Sequence, residues 1–255
     1  MKIKQILRED SNKSAILQQI SQMQADCSEF LANPTYLVRG VTLEHGNFQT
    51  VAKTPIRQDR KTLNRTHLGT AIFNDAFEST FGFSRIRNRS LFVTNTDEVA
   101  KKYGELYFVL PTNGSKVAHA ESVPDSIGIV ANAWFDFTDL IKSKLSPEER
   151  NALIRVIPEL NTPHPPEDWY DQLVNTLSEP NQEFADQTLE RIKDRMMSTY
   201  TVTGAGSIKS AAVPTEYMIF NSDSYWMIHP SVISGGVHGS DHQAAWNALI
   251  KRLKS

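Results

Sequence analysis

The chain has 255 residues, 40% of them apolar and 22% charged, enough to bury a core in one large domain or two small ones. Its 27 basic and 29 acidic residues leave a net charge of −2, which excludes attraction to nucleic acid or anionic membrane by global charge and leaves only a local basic patch open. Cys27 is the single cysteine, so an intramolecular disulfide and a multi-cysteine zinc site are excluded, and a reducing compartment fits. The opening MKIKQILRED lacks an apolar h-region and no window approaches 18 apolar residues, so neither a signal peptide nor a membrane span is expected, and cytoplasmic action is the default.

Residues 11–32 place Ile16, Leu17, Ile20, Met23, Cys27, Phe30 and Leu31 at helical spacing, and Asn33-Pro34 ends the pattern. The run TYLVRGV that follows reads as a strand, with Gly40 permitting close approach of another group. VAKTPIRQDRKTLNR, residues 51–65, is basic and aperiodic and reads as a loop, before Leu68, Ile72, Phe73 and Phe77 resume a helical pattern through residue 81. In RNRSLFVTNTDEVAKKYGELYFVLP a strand, a turn with Thr and Asp, a short helix closing at Tyr103-Gly104 and a second strand are expected. TNGSK is a turn, and VAHAES and SIGIV are expected as strands around Pro124-Asp125.

The character then changes. Residues 134–197 read as a mainly helical insertion or subdomain within a single domain over 1–255, and SPEER carries a helix-start signal of Ser, Pro and Glu. STYTVTGAGSIKSAAVPT, residues 198–215, is expected as a Gly/Ser/Thr-rich loop. EYMIF and SYWMI, separated by NSD, read as a β-hairpin, and a helix from Ser240 to Leu253 closes the chain.

Several residues are candidates for chemistry, each with a plainer reading beside it. Arg39 sits in an apolar strand, where a guanidinium needs a carboxylate, a phosphate or a row of acceptors; a structural ion pair serves as well as a ligand. Glu216 opens a strand after a long loop, where a carboxylate can face a cleft, although an exposed strand-end Glu is the commoner case. Arg57, Arg60, Lys61 and Arg65 form a basic cluster that suits nucleotide or nucleic-acid phosphates, or simply water. GAG in TVTGAGSIKS lacks the spacing of a phosphate loop, and His238, Asp241 and His242 are explained by a helix N-cap at Ser240 or Asp241 more cheaply than by a metal.

In order, YLVRG, RSLFVTNTDEVAKKYG and TEYMIFNSDSYWMI resemble the Arg, Ser/Thr, Glu arrangement of the ADP-ribosyltransferase fold. The stretch from RQDRKTLNR to ELYFVLP is also similar to a set of mostly uncharacterised tailed-phage proteins with spaced arginines, a His, a Phe-Gly, a Phe-x-Thr and a Tyr-Gly. The resemblance implies an α+β fold of split antiparallel β-sheets around an NAD cleft, with an N-terminal helix and a helical insertion. NAD is then the substrate, with Arg39, Gly40, Thr94, Tyr103 and Arg60 binding it. Ser90, or Thr94 as its alternative, supports the nicotinamide ribose and the catalytic Glu216, which stabilises the oxocarbenium-like charge as nicotinamide departs.

Within this resemblance the 201–215 loop contacts the acceptor, a protein or nucleic acid. Pro214 stands where a second Glu or Gln often helps select it, which leaves NAD hydrolysis open. The host cytoplasm, or the virion, is the implied location. Two other readings predict no NAD turnover: a non-catalytic phage structural or host-binding protein, and a nucleic-acid-binding module using Arg57, Arg60 and Arg65.

Overall fold

The computed structural model of the chain describes residues 18–42, 51–58, 67–121, 123, 126–234 and 241–255. Its contacts divide into two units, one drawn from Met1–Ile56, Leu91–Ala118 and Val202–Ser255, the other from Arg57–Ser90 and His119–Thr201.

The first unit is built on a sheet. Helix α1, described from residue 18 to residue 26, and α2, Ser28–Ala32, follow the predicted apolar spacing, with Met23, Cys27, Phe30 and Leu31 buried and the helix ended before Asn33-Pro34. Strand β1, Val38–Val41, β3, Leu91–Thr94, helix α4, Asp97–Lys101, and β4, Glu105–Pro111, form where the sequence places them. The sheet is completed by β2, Val51–Pro55, β5, Lys116–Ala120, β6, Tyr200–Gly204, β7, Glu216–Phe220, and β8, Ser224–Ile228, in the order β2-β8-β4-β1-β3-β7-β5-β6. Short helix α9, Ser231–Ser234, and α10, His242–Lys254, close the chain. Trp246 of α10 packs edge-on to Phe30, Tyr36 and Phe108, tying the helices to the sheet.

Three expectations are corrected here. Residues 51–55, read as part of a basic loop, are edge strand β2, paired along its whole length with β8; its alternation is weak because little of an edge strand is buried. Residues 200–204 within the expected 198–215 loop are strand β6. EYMIF and SYWMI are strands but do not form a hairpin: β7 pairs with β3, and β8 with β4 and β2.

That last difference shapes the sheet. Four strand spacings separate β7 from β8 in the order, about 19 Å in a flat sheet. The chain from Phe220 to Ser224 spans at most about 14 Å. The sheet therefore bends between the half β2-β8-β4-β1 and the half β3-β7-β5-β6, which share one register pair, Val38 with Thr94. The 221–223 link crosses from one half to the other with Asn221 at φ 57°, and Thr112 Oγ1, 2.6 Å from Ser222 Oγ and 2.8 Å from the Ser224 carbonyl, stitches it down.

The second unit is helical. Helix α3, His67–Phe81, α5, Ile127–Lys142, and α8, Glu179–Met197, pack on one another, with Phe73, Phe77, Phe137 and Ile192 among their buried residues, while α6, Pro147–Leu160, and α7, Trp169–Val174, complete the unit. It thus takes in α3 as well as the 134–197 stretch. SIGIV, expected as a strand, enters α5, because Val130, Ala133, Trp134, Phe137 and Ile141 continue it at helical spacing. Gly69 lets α3 meet α5: a Cβ there would stand 2.3 Å from the Val130 carbonyl oxygen.

The helix-start signal at SPEER is a full capping box between Ser146 and Glu149. The Glu149 carboxylate goes further, accepting from the N–H and hydroxyl of Ser178 and from Asn181 at the start of α8, and these bonds hold its pKa well below the ordinary 4.5. Glu149→Gln is expected to lower the melting temperature at pH 7, with the difference from wild type shrinking as pH falls below 4.5, because the depressed pKa contributes stability only while the carboxylate is ionised. Thermal melts across pH check it. In the first unit, Gly40→Ala drives a Cβ to 1.9 Å from the Ala100 carbonyl oxygen of α4, and denaturant unfolding should show a loss at or above the top of the ~1–3 kcal/mol range of overpacking.

Candidate functional site

The register of three neighbouring strands brings the Ser/Thr and Glu candidates together. β7 lies antiparallel to β3 with Glu216 directly opposite Thr94, and Thr94 is opposite Val38 of β1. Directly opposed residues project from the same face with Cα atoms about 4.5–5.5 Å apart, so the Thr94 hydroxyl and the Glu216 carboxylate leave the sheet side by side. Thr94 is buried and Glu216 half-buried, a setting in which a carboxylate is sheltered yet reachable.

Ser90 is not part of this row. It precedes β3, four extended residues or about 13 Å of chain from Thr94, and its buried hydroxyl has no hydrogen-bond partner among the described residues. Arg39 is half-buried on β1, one residue past Val38, at the point where β1 parts from β3. Its register partner is Tyr107, so its side chain leaves β1 on the face opposite to that of Val38. On that face the Tyr107 ring meets the His229 ring edge-on at 5.3 Å, and His229 Nδ1 lies 2.7 Å from Ser231 Oγ and 3.2 Å from the Ser231 N–H.

Gly40 does admit a close neighbour, and that neighbour is the Ala100 carbonyl of α4. Tyr103 is 55% exposed just beyond α4, and its carbonyl accepts from Thr42 Oγ1 at 3.1 Å. Arg60, with Lys61, Arg65, His238 and Ser240, lies outside the described residues; Arg57 is exposed. Asp241 caps α10 by accepting from the Ala244 N–H at 2.8 Å, as one of the two expected N-caps, and no group of three metal-ligating side chains occurs among the described residues.

Two polar devices near the row were not legible beforehand. Asn95, the residue after Thr94, donates through Nδ2 to the carbonyls of Ala211 and Val213 and accepts from the Thr215 N–H. Asp97, in the first turn of α4, accepts from Tyr36 Oη at 2.6 Å and meets His242 Nδ1 at 2.5 Å, joining the chain before β1 to α10. Burial, then the Asp97 bond, pushes the Tyr36 hydroxyl above its usual range. Cys27 is fully buried, and burial raises its thiol to about 12.

No described helix is long and apolar enough to cross a membrane. Asp97→Ala strips the partner from a half-buried Tyr36 hydroxyl and is expected to cost about 1–2 kcal/mol in urea unfolding, with faster amide exchange at the start of α10. No protein-family model matches the chain, and neither does any curated protein or solved structure.

Proposed function

We propose that the protein is a mono-ADP-ribosyltransferase that cleaves NAD at the nicotinamide–ribose bond and passes ADP-ribose to a macromolecular acceptor, a protein or a nucleic acid. The observation that carries this reading is the cross-strand pair of Thr94 and Glu216, set beside the strand of Arg39 in a sheet whose halves share one register pair. In this reading the two halves are the split sheets of an ADP-ribosyltransferase-like fold, and NAD enters where β1 parts from β3. Thr94 takes the supporting role for which Ser90 was the other candidate, and Gly40 contributes by admitting α4 instead of touching NAD.

The chemistry asks little of the protein beyond placement and charge. The N-glycosidic bond breaks with its electron pair leaving on the nicotinamide nitrogen, and positive charge develops at the ribose C1′ and ring oxygen. A carboxylate at Glu216, accepting a hydrogen bond from the ribose hydroxyl, stabilises that charge. The acceptor then bonds to C1′ and releases its proton; water in its place yields free ADP-ribose. Arg39 leaves β1 on the face opposite to Thr94 and Glu216, so in this reading its planar fork meets the diphosphate only if NAD passes from one face to the other where β1 parts from β3.

Incubation with NAD labelled in its adenylate half, with and without cell extract, tests this. Nicotinamide release and label transfer are expected, with Glu216→Gln reducing both by about 10²-fold or more and Thr94→Val by a smaller factor. Turnover unchanged in Glu216→Gln, or no nicotinamide from wild type with extract present, sinks the assignment.

A further inference from the structure

We infer that Asn95 is a positioning residue that sets Glu216 by locking the segment before it, an inference that rests on the NAD-cleaving reading only for its catalytic consequence. The Asn95 amide donates to Ala211 O at 3.0 Å and Val213 O at 2.9 Å, and its carbonyl oxygen accepts from Thr215 N at 2.8 Å. Two carbonyls on one side and one N–H on the other fix the orientation of the amide. An aspartate of the same shape has no donor, and serine has only one.

The lock acts on the residues that aim the carboxylate. Thr215 is fully buried and directly precedes Glu216, so its bond to Asn95 ties the entry of β7 to the end of β3, the point where Thr94 and Glu216 are opposed. From the other side of Glu216, Tyr217 Oη accepts from the Ala211 N–H at 3.4 Å and donates to the Lys209 carbonyl at 3.5 Å. The 209–215 segment is thereby held by side chains that flank the Thr94–Glu216 pair in sequence. Its tip, Ala212, Val213 and Pro214, stays exposed beside Glu216, where an acceptor has to approach.

Asn95→Ala and the isosteric Asn95→Asp test the lock on the full chain. In both, the Thr215 amide should exchange at least about tenfold faster and trypsin should cut sooner after Lys209, while amides of β4 keep their protection and report an intact fold. Asn95→Asp is expected to be no better than Ala, because it turns an acceptor toward two carbonyls. For nicotinamide release, kcat should fall about tenfold or more with the KM for NAD within about twofold, the pattern of a displaced catalytic group. Unchanged exchange at Thr215 in Asn95→Ala overturns the lock. A released segment with unchanged kcat, or a loss carried wholly by KM, overturns the positioning role. If wild type releases no nicotinamide, the NAD reading fails, and exchange and proteolysis still judge the lock by themselves.

Discussion

One register pair, Val38 opposite Thr94, joins the two halves of the sheet. The constraint behind it is chain length: a link of three residues cannot carry β7 to β8 across four flat strand spacings, so the sheet has to bend. Beyond the shared pair β1 and β3 have no further register pair among the described residues; Arg39 follows Val38 on the opposite face of β1, and Thr94 and Glu216 stand at the pair itself. The same corner requires the cross-link of Thr112 with Ser222 and Ser224, since both the 112–115 and 221–223 links pass between the halves there.

Close backbone approach sets the rest of the first unit. Helix α4 can lie against β1 only because Gly40 has no Cβ, and the Ala100 carbonyl takes that space. Once α4 is seated, its first-turn Asp97 collects Tyr36 from before β1 and His242 from α10, so one carboxylate spans three elements. In the helical unit Glu149 does comparable work, closing its own capping box and accepting from the start of α8. In each case a carboxylate is placed where several donors converge, and at Glu149 those bonds favour the ionised form.

Much of the secondary structure was legible because it rests on local patterning. The helical spacing of Met23, Cys27, Phe30 and Leu31, the Ser146–Glu149 start of α6 and the alternation in LFVT and ELYFVLP are all short-range signals. Strand β2 was hidden because an edge strand buries little and its Lys53 and Thr54 look like loop residues. SIGIV misled because a short apolar run has no period of its own until Trp134, Phe137 and Ile141 supply one.

Pairing between distant segments was the part that local pattern could not carry. NSD between two apolar runs satisfies the composition of a hairpin turn, yet the strands on either side find better partners in β3 and in β4 and β2. Of the candidate chemistry, the sequence by itself determined which residue types were available: an arginine in an apolar strand, Ser90 and Thr94 bracketing another, and a glutamate opening a third. Only the tertiary structure decided that Thr94 rather than Ser90 lies opposite Glu216, that Arg39 leaves the other face of β1, and that Asn95 holds the segment before Glu216. The physical reason is that cross-strand register depends on hydrogen bonding between segments more than fifty residues apart, and for Thr94 and Glu216 more than a hundred, which no local periodicity encodes.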